Sequence, residues 1–487
     1  MGAGQGKQGV PDAGDRGVTN PPAPPRGGVR ASSLPAGRPA AGGPPPMPRW
    51  GWLEWVVLAQ MALPALMFVP GMAATRLATR VAAFALPLLA WGAVGLSGRR
   101  PGGRPFPATP WAAAAGAWLA ASILHPRGNA PAAAAAEALI NLAVLSPAFW
   151  APRVLGTPRQ VGRLMAILFV GNAASAVVGI GQFYWPERFN PPVIRASGGL
   201  TVADYAYETA DGRKVIRPCG LTDTPGGACA AGMLAGLLGL GWSLRPIAAW
   251  RRLASLALAL AGLIAIYLSQ VRSALVMEVI GVLTLMIALA LRRDVRRLAL
   301  LGGGAAVVLG GSLAWVARAE GDAVLGRFRT LIQGDPRQTF YANRGHFVHA
   351  TFARQIWDQP LGAGLGRCGM AYVYFGDRAA PPDRGPMHAE VQWTMWAIEG
   401  GLPLIVLSGV AVAAALADQA RMALRCPDRV LAYWAAMGLA LNLAIAATTF
   451  SYIPFVGPSG LQFWILAAVL HAADGPRGRG PGGRAGG

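Results

Sequence analysis

Runs of about 20 apolar residues recur from Trp52 to about residue 472, and they constrain the fold more than any other feature of the sequence. An α-helix needs about 20 such residues to cross the hydrocarbon core of a bilayer. The composition agrees, because 54% of the residues are hydrophobic and only 13% are charged, whereas soluble domains carry about 25% charged residues. We therefore predict an all-α polytopic membrane protein.

The apolar runs predict about 12 transmembrane helices. Two of the runs, 109–124 and 133–150, are short and rich in alanine. Pro64 and Pro87 interrupt two others, which membrane helices tolerate when neighbouring groups satisfy the freed backbone. The predicted helices are 52–72, 77–96, 109–124, 133–150, 161–184, 224–243, 252–269, 273–291, 298–316, 388–416, 430–449 and 455–472.

The net charge of +21 comes almost entirely from arginine. In a soluble protein such a charge would indicate a nucleic-acid partner. Here the arginines cluster between alternate apolar runs, as the positive-inside rule requires, so we predict two cytoplasmic termini and no nucleic acid. The arginines of the predicted cytoplasmic segments are Arg99, Arg100, Arg104, Arg153, Arg159, Arg163, Arg245, Arg251, Arg252, Arg292, Arg293, Arg296, Arg297, Arg421, Arg425, Arg429, Arg477, Arg479 and Arg484.

Composition divides the chain into three parts. Residues 1–49 are rich in Gly, Pro and Arg and have too few large apolar residues to form a core, so we predict a disordered cytoplasmic tail. Residues 50–473 form the membrane domain, and 474–487 a second disordered cytoplasmic tail. The N-terminal segment lacks the pattern of a cleavable signal peptide, so the first apolar helix is expected to act as the targeting signal.

Two longer segments on the predicted outer face interrupt the series of helices. The first runs from about Trp185 to Asp223, and the second is a large periplasmic loop at about 317–388. Long outer segments escape the positive-inside rule, so their arginines need another explanation. Cys219 and Cys368 lie one in each segment, and they can pair if both segments face an oxidising compartment.

Three arginines are candidates for binding an anion on this face. Arg217 precedes a Gly- and Pro-containing turn, Arg272 lies in a very short hairpin between two apolar runs, and Arg344 lies in the large loop. A guanidinium can grip a diphosphate with two parallel hydrogen bonds. The alternative for Arg217 and Arg272 is that each extends to the lipid phosphates from the membrane boundary.

Acid–base candidates lie where the predicted helix 388–416 begins. His388 titrates near neutrality and can take a proton from a hydroxyl, and Glu390 can do the same if its pKa is tuned. Glu399 follows about three helical turns later and is predicted to share a face with His388. An acid inside a membrane helix is a functional candidate by default. The alternative for His388 is an ordinary interfacial residue.

A glycine-rich turn, Pro360–Gly366, offers backbone N–H groups that can approach an anion, and Gly364 within it is a possible supporting residue. Such turns are common and the signal is weak. His346 and His349 have a spacing that suits a metal, but no acidic or third His partner lies at a useful distance in the sequence. We therefore predict no metal site and no cofactor.

The order of these motifs resembles the O-antigen ligase and O-antigen polymerase superfamily of bacterial membrane glycosyltransferases. The resemblance covers about 160–470; each motif is loose, and their order and topology make the combination more specific. The spacing from His388 to Glu399 is about two residues longer than in the family pattern, and Ala389 stands where Asn or Ser is common. The matching elements are Arg217-x-x-Gly220 with Pro225, Ser269-Gln270-x-Arg272, Arg344, Asp358-x-Pro360-Leu361-Gly362-x-Gly364-x-Gly366, His388 and Glu399-Gly400.

The resemblance implies an enzyme that acts on glycans carried by undecaprenyl diphosphate at the outer face of the bacterial inner membrane. Such proteins use neither a nucleotide sugar nor a catalytic metal. By the same resemblance, Arg272 and Arg344, together with Arg217, hold the diphosphate, and His388 deprotonates or orients the acceptor hydroxyl. Glu390 is the alternative base.

We therefore expect a glycosyltransferase that moves a lipid-linked glycan onto a lipid or glycan acceptor. Whether it is a ligase or a repeat-unit polymerase stays open. A transporter or flippase for lipid-linked glycans is the alternative from another class, because about 12 helices suit it equally. Transporters usually show internal repeats and broken helices or charges at the membrane midplane, and the sequence shows no repeat. A scaffold subunit with a degenerate site is a third possibility.

Overall fold

The computed structural model describes most of the membrane domain. The predicted tail 1–49 and residues 476–487 of the predicted tail 474–487 lie outside the described residues, as do Arg99, Arg100 and Asp223. The described residues are 50–475, with gaps at 70, 72–74, 99–103, 155–156, 193–205, 209–211, 213, 223, 330, 332 and 334.

Each predicted apolar run is helical, with ends that differ from the prediction by a few residues in most cases. Eight helices in the described ranges are long and apolar enough to cross a membrane, and three more apolar helices are shorter. The protein is therefore a helical, multi-pass membrane protein, as predicted. The helices of the apolar runs before the large loop are α1 (Trp52–Ala62), α2 (Arg76–Leu96), α3 (Thr109–Ser122), α4 (Pro131–Leu145), α5 (Pro158–Tyr184), α6 (Gly227–Ser243), α7 (Ala249–Leu268), α8 (Arg272–Leu291) and α9 (Val295–Ala319).

The large loop is itself mostly helical. Its helical segment 336–358, called α11, contains two π-helical turns, Tyr341–Gly345 and Thr351–Gln355. Earlier in the chain, two three-residue strands, β1 (Ala206–Glu208) and β2 (Lys214–Ile216), pair antiparallel. The remaining helices are α10 (Asp322–Arg329), α11 (336–358), α12 (Gly369–Phe375), α13 (Gln392–Arg425), α14 (Arg429–Ala447) and α15 (Pro458–Ala473).

Helix α6 is buried along nearly its whole length, and its glycines explain how neighbouring helices come so close. A Cβ added to Gly232 would lie 2.4 Å from the carbonyl oxygen of Gly262 on α7. A Cβ added to Gly239 would lie 2.6 Å from the carbonyl oxygen of Ser255 on the same helix. Small residues are the usual means of close helix packing in membranes, because no hydrophobic force drives helices together in lipid.

Helix α13 is broken inside the apolar region, at Gly401, whose φ is +63°. The break frees backbone groups, and the glycine-rich turn of the large loop supplies their partners. The N–H of Ala363 donates to the carbonyl of Ile398 at 2.7 Å, and the N–H of Leu402 donates to the carbonyl of Pro360 at 2.9 Å. Unsatisfied backbone groups are very costly in hydrocarbon, so the turn and the broken helix depend on each other.

Gly401→Ala is expected to destabilise the protein strongly. An L-residue at this φ costs about 1–3 kcal/mol, and the new Cβ would lie 2.1 Å from the carbonyl oxygen of Pro360. Gly409→Ala in the same helix is the matched control, because its Cβ would meet no atom within 4 Å. Thermal unfolding of the purified variants tests this. Equal midpoints for the two variants would contradict the role of the break.

Candidate functional site

The segment that carries Arg217 is held against α5 by one glutamine side chain. Oε1 of Gln182 accepts from the N–H groups of Cys219 at 2.9 Å and Gly220 at 2.8 Å, and its Nε2 donates to the carbonyl of Gly220 at 2.9 Å. Gly220 has a φ of +64°, and a Cβ there would lie 2.4 Å from Oγ of Ser175. Glycine is required here both by the positive φ and by the lack of space for a Cβ. The segment that carries Arg217 is therefore held in a fixed place against α5.

Arg272 is the first residue of α8, at the end of the short turn that follows α7. Gln270 in this turn has a φ of +57° and is 4% exposed. Its side-chain amide donates to the carbonyl of Val324 on α10 at 3.3 Å. The large loop therefore packs over the turn that bears Arg272.

Arg344 lies in the π-helical turn Tyr341–Gly345 of α11. Helix α11 is tied to the start of α13 by a hydrogen bond of 2.8 Å between the hydroxyls of Thr351 and Thr394. The rings of Phe352 and Trp393 also pack together, with centroids 5.7 Å apart. π-Helical turns inside α-helices are frequent at functional sites, where they redirect side chains.

Arg344, Glu390 and His388 form a connected group. A guanidinium nitrogen of Arg344 contacts one carboxylate oxygen of Glu390. The other oxygen of Glu390 lies 2.9 Å from Nε2 of His388, whose side chain is 72% exposed. Because a carboxylate can only accept, Nε2 carries the hydrogen, and the lone pair of the neutral ring is at Nδ1. Glu390 thus joins Arg344 to His388 and orients the exposed imidazole ring.

Arg217 and Arg344 come from distant parts of the chain, and their charges interact. Burial lowers the pKa of Arg344, and the positive charge of Arg217 lowers it further. A Cβ on Gly226 would lie 3.4 Å from Cδ of Arg217 and 3.8 Å from Cγ2 of Val271, the residue before Arg272. The stem of Arg217 therefore lies beside Gly226, close to the turn that carries Arg272.

The electrostatics of this region favour an anion. Two partly buried guanidinium groups repel each other, and an anion between them relieves that repulsion. Arg217 precedes α6, Arg272 begins α8, and Glu390 precedes α13, so three helix N-termini with their positive dipole ends lie at this end of the bundle. The arrangement suits a ligand with several phosphate oxygens.

Glu399 does not belong to this group, contrary to the expectation that it shares a face with His388. Residues 388–391 are not helical, because α13 begins only at Gln392. Glu399 is 1% exposed and lies beside the buried carboxyl of Glu137 on α4. Nδ2 of Asn141 donates to Oε1 of Glu399 at 3.4 Å. This buried carboxyl pair is a separate feature inside the bundle.

Gly364 is also structural, and the glycine-rich turn does not present its N–H groups to a ligand as predicted. The N–H of Gly364 donates to the carbonyl of Ile398 at 3.2 Å, and that of Gly362 donates to the carbonyl of Gln359 at 2.9 Å. A Cβ on Gly364, whose φ is +100°, would lie 2.6 Å from the backbone nitrogen of Gly128. Gly362 is needed for close packing against the break in α13, and Gly364 for close packing against Gly128.

Sequence reasoning missed several residues that the structure brings into play. The role of Gln182 was not predicted, because a glutamine in an apolar run does not indicate which distant backbone groups it will bind. Glu137 could have been predicted as a candidate residue, because it is an acid within an alanine-rich apolar run. Cys219 and Cys368 are both buried free thiols, so the open question of their pairing is answered for this structure.

Comparisons of the chain with protein-family models and with curated proteins found no match. The superfamily resemblance therefore rests on the motifs quoted above and stays a prediction. Among the residues that the structure describes, no three His, Cys, Asp or Glu side chains are grouped so that they could hold a metal ion.

Gln182→Leu is expected to loosen the segment that carries Arg217. The substitution leaves two buried N–H groups without their acceptor, at a cost of about 1–3 kcal/mol each. Hydrogen–deuterium exchange should show faster exchange at Cys219 and Gly220. The matched control is Gln160→Leu, which alters an exposed capping residue of the same helix. Unchanged exchange at both amides in the first variant would rule out this anchoring.

Proposed function

We propose that this protein is a membrane glycosyltransferase of the O-antigen ligase type. It transfers a glycan from an undecaprenyl-diphosphate carrier to an acceptor hydroxyl during assembly of cell-surface polysaccharide. The observation that carries the proposal is the connected group of Arg344, Glu390 and an accessible His388, with the charge of Arg217 acting on Arg344. Paired cations beside an oriented base suit a reaction in which a hydroxyl displaces a diphosphate.

The proposal includes a topology. Twelve helical spans, two cytoplasmic termini and two longer periplasmic segments place the site at the periplasmic face of the bacterial inner membrane. The basic segments that lie between alternate apolar runs support this orientation. A site at the membrane boundary is also where a polyprenyl carrier presents its diphosphate, because the lipid chain stays in the bilayer.

Diphosphate binding falls to the arginines. Arg217 and Arg344 hold phosphate oxygens from two sides, and Arg272 contributes a third cation at the start of α8. As the bond between the sugar C1 and the phosphate oxygen breaks, negative charge grows on the leaving diphosphate. Cations that are already in place stabilise that charge without reorganising, and they act more strongly near the low-dielectric membrane than in water.

The acceptor is activated by His388. Its Nδ1 takes the proton of the acceptor hydroxyl while the hydroxyl oxygen bonds to C1 of the sugar. The diphosphate leaves with the pair of electrons from the broken bond. Glu390 keeps the ring in the required tautomer and stabilises the positive charge that the ring acquires. The chemistry draws on no nucleotide sugar and no metal ion.

The acceptor is a lipid or glycan hydroxyl, and two enzymes share this chemistry. A ligase uses a lipid core or another final acceptor, whereas a polymerase uses a second repeat unit. The lipid-linked glycan that accumulates when the gene is deleted separates them. Full-length chains left on the carrier indicate a ligase, and single repeat units indicate a polymerase.

Arg344→Ala is expected to reduce glycan transfer by about 100-fold or more, because one charge stabiliser of the transition state is lost. Arg344→Lys should also be poor, since an ammonium cannot form the paired hydrogen bonds. The control is Arg378→Ala, which removes an exposed arginine of the same loop. Transfer is measured with purified protein and a lipid-linked donor. Full activity in the folded Arg344→Ala variant would exclude this arginine from diphosphate binding.

A second function, transport of a lipid-linked glycan, is favoured by one observation. Helix α13 is broken at Gly401, and beside the break Glu399 and Glu137 are buried together. Broken transmembrane helices with buried ionisable groups are typical of secondary transporters. The group formed by Arg217, Arg344 and His388 does not include this pair of glutamates. We therefore propose glycan transfer as the main function and transport as the second.

Glu399→Gln separates the two functions. The amide keeps the shape of the side chain and can donate to Glu137, so the variant should fold and retain glycan transfer within about threefold. A transporter that uses the carboxyl pair would lose movement of lipid-linked glycan in proteoliposomes. In a deletion strain, transfer predicts donor at the outer face. Donor confined to the inner face would overturn glycan transfer in favour of transport.

A further inference from the structure

The opposite end of the bundle from the candidate site contains a basic cavity of about 360 Å³. Its walls come from the end of α8, the start of α9 and the start of α14. Four arginines and one aspartate line it: Arg292, Arg293, Arg297, Arg429 and Asp294. Its volume is within the range of small-ligand sites, about 300–1,000 Å³.

Two of these arginines are held in place by the fold. The guanidinium of Arg292 donates to the carbonyl oxygens of Ala423, at 3.0 Å, and Cys426, at 3.2 Å. Arg297 pairs with Asp294 at 3.0 Å, and its guanidinium lies 4.7 Å above the centre of the Tyr433 ring. Such fixed side chains lose little conformational entropy when they bind a ligand.

The ring of Tyr433 is itself fixed, because its hydroxyl donates to the carbonyl of Gly241 on α6. Arg293 and Arg429 are exposed at the rim. The one carboxylate of the cavity, Asp294, is used by Arg297 and by the N-terminus of α9, where it accepts from the N–H of Arg297 at 3.2 Å. The cavity therefore concentrates positive charge that its own carboxylate does not balance.

The floor of the cavity is apolar and belongs to two membrane helices. It is formed by Ala288 and Leu289 of α8 and by Ala432 and Ala436 of α14. A free phosphate ion has no apolar part that could pack against these side chains. A lipid with an anionic headgroup fits both parts, since its phosphate meets the arginines and its glycerol and acyl carbons lie along the helices. Basic pockets between membrane helices bind anionic lipid headgroups in this way.

We propose that this cavity is a binding site for the phosphate headgroup of an anionic phospholipid. The site is independent of the glycan-transfer site, because α8 separates the two by its whole length, with Arg272 at one end and Arg292 at the other. Bound lipid would join α8, α9 and α14 at this face. The positive-inside rule alone requires basic loops, but it requires neither a cavity nor arginines held at its wall.

Native mass spectrometry of the purified protein tests the proposal. Phosphatidylglycerol is expected to bind at least tenfold more tightly than phosphatidylcholine with the same acyl chains. Arg429→Gln and Arg293→Gln should each weaken phosphatidylglycerol binding severalfold. Arg296→Gln is the matched control, because this exposed arginine of the same basic segment does not line the cavity. The two rim variants are chosen because Arg297 is packed on Tyr433 and its replacement can disturb folding.

Three results would overturn the proposal. Equal binding of the two lipids would exclude recognition of the anionic headgroup. Equal weakening by Arg296→Gln and the rim variants would mean that the loop binds lipid only through diffuse charge. Displacement of phosphatidylglycerol by millimolar inorganic phosphate would assign the cavity to a soluble phosphate ligand instead. Retained lipid in the control, with loss in both folded rim variants, supports the site.

Discussion

The fold of the large polar loop depends on the hydrogen bonds that it forms, as donor and as acceptor, with a broken membrane helix. Helix α13 cannot stay unwound at Gly401 in hydrocarbon unless its free carbonyl and N–H groups find partners. The turn Pro360–Gly366 supplies them, and the glycines of that turn let it approach the helix closely. The loop is therefore anchored in the membrane core and is not a spacer between spans.

The hydrogen bonds between the turn Pro360–Gly366 and α13 position the two segments of the large loop that carry residues of the candidate site. Helix α11 ends just before the anchoring turn, and it carries Arg344. The segment that follows α12 returns to the same region, where the N–H of Met387 donates to the carbonyl of Arg367 at 2.8 Å. His388 and Glu390 come directly after this contact. The segment that carries His388 and Glu390 is thus held in place by a backbone hydrogen bond.

The arginines of the chain fall into three groups by their surroundings. Many lie in basic segments and match membrane topology. Some stabilise the bundle, such as Arg163, which pairs with the buried Glu54 at 2.6 Å. Two sets are brought together by the fold beyond what topology needs, one around Arg344 and one around Arg297. Each set already includes one carboxylate, Glu390 beside Arg344 and Asp294 beside Arg297, which offsets part of the repulsion between the like charges.

The sequence by itself determined the helical class, the positions of the apolar helices and most of the candidate residues, because hydrophobic length and charge are local properties. Arg217, Arg344, His388 and Glu390 were all recognised in this way. Only the tertiary structure decided that Glu399 faces Glu137 and that the glycine-rich turn closes a broken helix. Such pairings depend on how distant helices rotate and pack against each other. That geometry results from many contacts at once, so it cannot be predicted from any short stretch of sequence.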